Sequence, residues 1–311
     1  MYYPYLRCKQ FELLAIRELA PKLGESGKIS PILEPIKKTT TSLEKAIESL
    51  IANNINFTLI LNPVHGEFTS DPSMLITMIN SKLEEYENFQ FGIIITHSFD
   101  LEIIDHILEE INFSRPIAFI HFDRINDIES LTEWAESKEV KLNFYNENIP
   151  IRRYRGIVPP ESKVILEDKF NQQIKNADYL NVPDEFFSDE YLFYKDDGYW
   201  GFGDYLTIGN DFSETGFLPY AVAIHLTYKK ENEEIWVRHF VSDSNSDNTD
   251  VAGKFGEALE KLIAFINEKD IRTEAANEFR EHYDNQHYPG LGSIKKLSIK
   301  NHIELLTNLL N

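Results

Sequence analysis

The sequence predicts an α/β protein: a (β/α)8 TIM-like barrel over residues 1–270, with a C-terminal helical extension, 271–311, packed on it. Three observations predict this. From residue 29 onward, short apolar runs alternate with segments of helical periodicity. Most of the runs are continuously apolar, as parallel strands covered on both faces are. Eight of them, interleaved with helices, occupy about 250 residues, the usual size of such a barrel. The competing architecture is an open doubly wound sheet, and it is weakened because no glycine-rich dinucleotide fingerprint follows the first strand.

The elements follow in order. KQFELLAIRELAPKL carries Phe11, Leu14, Ala15, Leu19 and Leu23 at helical spacing, with Pro21 near its end. ISPILEPI is read as the first strand, and TSLEKAIESLIANN as a helix opened by a Ser/Thr cap. NFTLILNP is a strand, followed by the helix DPSMLITMINSKLEEY with Asp71 as cap and Pro72 at the first helical position. Strands FGIIITHS and PIAFIHFD precede helices DLEIIDHILEEI and DIESLTEWAES. VKLNFYN and KVILED continue the series across a loop holding Pro159 and Pro160, and NQQIKNADYL is a short helix. FGDYLTI and YAVAIHLTY are read as the seventh and eighth strands, the latter continuing through a polar turn into a hairpin with EIWVRHFV. GKFGEALEKLIAFINEK is a helix, and the helical tail breaks at Pro289-Gly290.

Lys plus Arg number 31 and Asp plus Glu 51, a formal charge of −20. Phosphate backbones repel such a surface, so duplex DNA is not an expected partner, whereas a basic protein is an admissible one. The single cysteine, Cys8, excludes an internal disulfide and fits a reducing compartment. No signal peptide is expected at the start, and no apolar run approaches the roughly 20 residues of a membrane helix, so a cytoplasmic protein is expected. The polar SDSNSDNTD segment reads as a loop.

Barrel chemistry gathers at the C-terminal ends of the strands. The residues expected there are Glu34, Asn62, His97, His121 with Asp123, Asn146, Glu167 with Asp168, Asp204 and His225. Glu34, His121, Glu167 and Asp204 are the catalytic candidates; Lys9, Asn62, His97, Asn146 and His225 are the binding candidates. Carboxylates and imidazoles on neighbouring strands suit two kinds of chemistry, holding a divalent metal or dividing acid and base roles. Each also has a structural reading: Glu34 as an ion-pair partner of Lys9 or Arg17, the histidines as hydrogen-bonded core groups, Cys8 as packing. No nucleophile elbow, Walker loop or H-E-x-x-H helix accompanies them. The glycines of GFGD lack the helix that a phosphate loop needs and are read as permitting a tight strand.

YYPYLRCKQFELLAIREL, ISPILEP and FGDYLTI resemble the phage and bacterial beta-protein family. The matching positions are Tyr2, Pro4, Lys9, Glu12, Pro31, Glu34, Gly203, Asp204 and Tyr205. SETGFLPYAVAIHLTY and HYPGLGSIKKLSIKNHIELL are similar to a smaller bacterial branch, whose members are often encoded beside a second small protein. The resemblance implies the fold and a phage-conflict or mobile-element setting; it supplies no catalytic residue list. Two classes of function follow. The first is a partner-binding or regulatory protein of a two-gene system, with the aromatic segment Phe186, Phe187, Tyr191, Phe193, Tyr194, Tyr199 and Trp200 as interface anchors or as a barrel plug. The second is a metal-assisted hydrolase or phosphoryl-chemistry enzyme run from the strand-end residues. Convergence of Glu34, His97, His121, Glu167 and Asp204 in one open pocket is the geometry that favours the enzyme.

Overall fold

A computed structural model of the chain describes residues 1–123, 125–146, 149, 162–212 and 219–311. The chain divides into two compact units, Met1–Glu167 with Glu190–Asp204, and Asp168–Asp189 with Tyr205–Asn311. This division differs from the boundary expected at residue 270.

The first unit is the barrel. Its strands are β1 (Tyr2–Leu6), β2 (Ile32–Leu33), β3 (Phe57–Ile60), β4 (Phe89–Ile95), β5 (Ile117–His121), β6 (Val140–Tyr145) and β7 (Lys163–Glu167). After β8 (Asp184–Ser188), which belongs to the second unit, β9 (Gly201–Asp204) closes the ring between β7 and β1. Every pairing around the ring is parallel. The intervening helices are α1 (Gln10–Ser26), α2 (Thr41–Ala52), α3 (Ser73–Lys82), α4 (Leu101–Glu110) and α5 (Ile128–Glu136), with a single turn, α6 (Glu190–Phe193), before β9.

The eightfold barrel is as expected, but its first strand is not. The opening YYPYL, to which the sequence pattern assigns no element, is strand β1 and is buried at all five residues. The expected eighth strand, YAVAIHLTY, lies outside the barrel. Both corrections have one physical reason: an apolar run states that it will be buried, not which sheet buries it. FGDYLTI is likewise a strand only to Asp204, after which Leu206–Ile208 forms a 3-10 turn.

Local chemistry accounts for the helix ends. Gly27 takes φ 61 at the end of α1 and donates its N–H to Leu23 O, a left-handed stop. Pro21 inside α1 cannot donate to the Arg17 carbonyl one turn back. Ser49 Oγ on α2 reaches that oxygen at 3.4 Å, so the proline is tolerated where the second helix packs. Asp100 and Asp127 cap α4 and α5 by accepting the N–H of Glu102 and Ser130. Asp71 accepts the Ser73 N–H at 3.1 Å, but it stands one residue before the N-cap position of α3, which Pro72 occupies in place of its expected first helical position.

Register assigns each side chain to the lumen or to the helices. Residues paired across a parallel sheet share a face, and neighbours along a strand alternate. Tyr3 on β1 meets Phe144 on the non-adjacent β6, ring centroids 5.0 Å apart, so both point into the lumen. Following the register puts Thr58, Gln90, Gly92, Ile120 and Leu166 inward with them. The opposite face carries Phe119, whose ring lies 6.0 Å from Trp134 on α5, and so faces the helices. Gly201 and Gly203 are inward positions on β9. A methyl group at Gly201 would stand 2.6 Å from the Tyr3 ring, and one at Gly203 would strike the Tyr3 carbonyl. The GFGD glycines therefore let β9 pass close to β1.

The second unit pairs β10 (Ala223–Lys229) and β11 (Ile235–Val241) as the predicted hairpin and adds β8, giving an antiparallel sheet ordered β10–β11–β8. Its helices are α7 (Val251–Glu268), α8 (Glu274–Asp284) and α9 (Leu291–Leu310). Ile224, Leu226, Tyr228 and Phe240 share a core with Phe255, Leu262 and Phe265 of α7 and Phe279 of α8. The tail is helical and breaks at the expected Pro-Gly, but α9 is a core helix of this unit. Ile294 and most residues from Lys296 to Thr307 are buried. Its buried polar groups are paired: Lys296 and Lys300 meet Glu278 at 2.9 and 3.4 Å, and Asn301 donates to Thr227 O. No helix among the described residues is long and apolar enough to cross a membrane.

Candidate functional site

At the C-terminal end of the barrel, one carboxylate gathers groups from three successive strands. Glu34 follows β2 on the lumen face, in step with Ile32, and is fully buried. The Tyr5 hydroxyl on β1 donates to Oε2 at 3.0 Å, and the Val64 N–H, in the loop after β3, donates to Oε1 at 3.1 Å. His65 Nδ1 lies 3.1 Å from the same Oε1, and Arg7 Nε 3.9 Å from Oε2. Short loops and parallel register bring these residues together, because β1, β2 and β3 are consecutive in the ring.

A buried carboxylate needs compensating donors, and hydrogen bonds to a charged group are worth roughly 1.5–3 kcal/mol each. The cluster is therefore a rigid node. Its field also acts on Cys8, which is buried at φ 52 just after β1. Burial pushes the Cys8 thiol well up, and the charges of Glu12 and Glu34 add to the effect, so it is not an activated thiolate. His65 differs from its neighbours in being about one-quarter exposed. A carboxylate on Nδ1 sets the imidazole's tautomer and turns Nε2 into the reactive nitrogen.

Of the catalytic candidates, only Glu34 stands in the lumen. His121 shares the outer face of β5 with Phe119, buried between sheet and helices, with Nε2 3.0 Å from Asn143 Oδ1. Burial lowers its pKa to about 4, against the opposing bond to Asn143. Asp204 also points outward, since Gly203 beside it faces in; it accepts the buried Tyr2 hydroxyl at 2.8 Å. Burial, then Asp204, drives the Tyr2 hydroxyl well above its ordinary value. Glu167 is in register with Asp204 and shares that outer face. The four side chains are not brought to one pocket.

The binding candidates also scatter. Asn62 clamps the backbone of Ile94, donating to its carbonyl at 2.9 Å and accepting its N–H at 2.8 Å. His97 is a surface residue 3.0 Å from Asp123 Oδ2. Asn146 is partly exposed, and its carbonyl accepts the Ile149 N–H. Lys9 is the partly exposed N-cap of α1, its carbonyl accepting the Leu13 N–H. His225 belongs to β10 in the second unit, opposite His239.

Sequence reading missed Tyr5, Arg7 and His65. The first two lie on or just beyond the strand that was not recognised, and His65 sits in a loop. Among the described residues, no group of three or more His, Cys, Asp or Glu side chains is placed to hold a metal ion. Donors already occupy both oxygens of Glu34. No known family, curated protein or solved structure matches the chain. What stands on the geometry is the class: a (β/α)8 barrel with a buried glutamate paired to a partly exposed histidine at the end where such barrels carry their chemistry.

Proposed function

We propose that the barrel is an enzyme working by general acid–base catalysis at its C-terminal mouth. The observation that carries this is the Glu34–His65 pair, a fully buried carboxylate fixing Nδ1 of a partly exposed imidazole. In this reading Glu34 orients His65, Tyr5 and Arg7 hold Glu34, and His65 Nε2 exchanges a proton with a small polar substrate. A positioned imidazole of this kind contributes about 10²–10⁴-fold in rate. The metal-assisted version of the enzyme reading gains no support from the side chains around Glu34.

The test compares wild type with His65→Gln after incubation with a metabolite extract of the native host, read by mass spectrometry. Wild type should change at least one small molecule and the variant should not, while both melt alike. Identical extracts after the two incubations overturn the reading.

A second reading has its own observation. Leu192, Phe193 and Trp200, close together in sequence in the barrel unit, are exposed, Trp200 at 56%. Of the other residues in the aromatic segment, Phe187 and Tyr194 are buried and Phe186 is exposed. Solvated aromatics suit an interface anchor better than a plug. The exposed side chains favour a partner-binding role, which the resemblance to the beta-protein family would set in a phage-conflict, two-gene system in the cytoplasm. The charge of −20 favours a protein partner over duplex DNA. Co-expression with the neighbouring gene's product should yield a complex that Trp200→Ser weakens; no complex, or one indifferent to Trp200, removes this reading.

A further inference from the structure

The second unit contains a chain of ionisable side chains that the barrel mouth does not use. His225, His239 and Glu185 stand on the three adjacent strands β10, β11 and β8. His225 is directly opposite His239 in the ladder, and Glu185 is opposite Val237, two residues along on the same face. His225 Nδ1 lies 2.7 Å from His239 Nδ1, and His239 Nε2 lies 3.0 Å from Glu185 Oε1. Tyr179 lies against both imidazoles, its ring centroid 4.6 Å from that of His225 and 4.4 Å from that of His239.

This order of contacts fixes the protons. A carboxylate accepts, so His239 carries its proton on Nε2 and donates it to Glu185. His239 Nδ1 is then an acceptor, and His225 must donate to it from Nδ1. The lone pair of His225 is thereby left on Nε2. Burial, the neighbouring His239 and the Lys295 charge hold His225 well below its ordinary pKa. Burial also lowers His239, with Glu185 and Asp184 opposing. His225 is accordingly a neutral imidazole at neutral pH.

His225 lines a cavity of about 300 Å³, with Tyr179, Thr207, Lys295 and Ser298 among its walls. This is the lower end of the size range of small-molecule clefts. Thr207 is buried, and its hydroxyl has no hydrogen-bond partner among the described residues. A buried polar atom left this way costs about 1–3 kcal/mol unless something fills the cavity beside it. The cavity thus offers a proton acceptor in His225 Nε2, an unsatisfied hydroxyl in Thr207, and a positive charge in Lys295. The complementary molecule has an O–H, a hydrogen-bonding oxygen and a negative charge.

We propose that this cavity is a second ligand site, taking a small hydroxylated anion whose hydroxyl donates a hydrogen bond to His225 Nε2 while its charge lies near Lys295. The chain Glu185–His239–His225 fixes that acceptor: Glu185 takes the Nε2 proton of His239 in a hydrogen bond, His239 Nδ1 takes the Nδ1 proton of His225 in another, and the lone pair on His225 Nε2 is left to receive the ligand hydroxyl. Tyr179 packs over both imidazoles.

Two measurements on the full chain test this, and neither depends on the barrel mouth. Long-range 15N–1H correlation spectra read tautomers directly: His225 should be protonated on Nδ1 and bare on Nε2, and His239 protonated on Nε2. The reverse tautomer at His225 overturns the proposal. Diethylpyrocarbonate, which attacks unprotonated accessible imidazole nitrogens, should label His225 and spare His239. Glycolate should slow that labelling several-fold, acetate less, and Lys295→Gln should abolish the protection. Failure to label His225, labelling that neither anion slows, or equal slowing by both anions each overturns the proposal.

Discussion

Lowering the pH should destabilise the protein through His121, and the size of the effect follows from where that side chain sits. His121 is buried on the outer face of β5 and bonds Asn143 Oδ1, so it is held neutral with a pKa near 4 against an ordinary 6.5. The unfolded chain binds the proton more readily, so stability is complete above pH 6.5. It is lost as pH falls toward 4, and becomes flat below that. A gap of about 2.5 pKa units at about 1.4 kcal/mol each corresponds to about 3 kcal/mol between pH 7 and 4. His121→Gln keeps an N–H donor for Asn143 and removes the titration. Urea unfolding of both proteins at pH 7, 6, 5 and 4 isolates the effect, because every other group, His225 and His239 included, titrates in both. Wild type should lose about 3 kcal/mol more than the variant across that range. Parallel stability curves would refute the burial argument.

Further outcomes follow from the same geometry. Gly203→Ala should cost about 1–3 kcal/mol or more, because the methyl group meets the β1 backbone rather than a movable side chain; thermal melting checks it. Asp204→Ala strands the buried Tyr2 hydroxyl and should cost about 1–3 kcal/mol while leaving any mouth activity intact, read by melting and by the metabolite assay together. Glu34→Gln should destabilise the barrel by more than Asp204→Ala does, since it leaves the Arg7 guanidinium buried beside a neutral group; denaturant midpoints rank the two. A chain of charge −20 should give no mobility shift with plain duplex DNA at physiological salt. A tight, salt-sensitive shift would turn attention to Arg152, Arg153 and Arg155, which lie outside the described residues.

Much of the architecture is a property of the sequence alone. Seven of the eight barrel strands are legible in the sequence, most of them as continuous apolar runs, because a strand covered on both faces has no polar side to display. The helices between them show their buried stripe at 3.6-residue spacing. Glu34 is legible too, as a carboxylate closing an apolar run. Tertiary structure alone decided the rest. Hydrophobicity does not encode which sheet a run joins, so YYPYL enters the barrel and YAVAIHLTY leaves it. Which way a strand-end residue points depends on a one-residue phase that register sets. That phase turns Glu34 into the lumen and His121, Glu167 and Asp204 away from it. The Tyr5–Arg7–Glu34–His65 cluster and the Glu185–His239–His225 chain are long-range encounters, joined by closure of a barrel and pairing of a hairpin. No spacing along the chain announces either, because side chains tens of residues apart meet only when the backbone between them has folded.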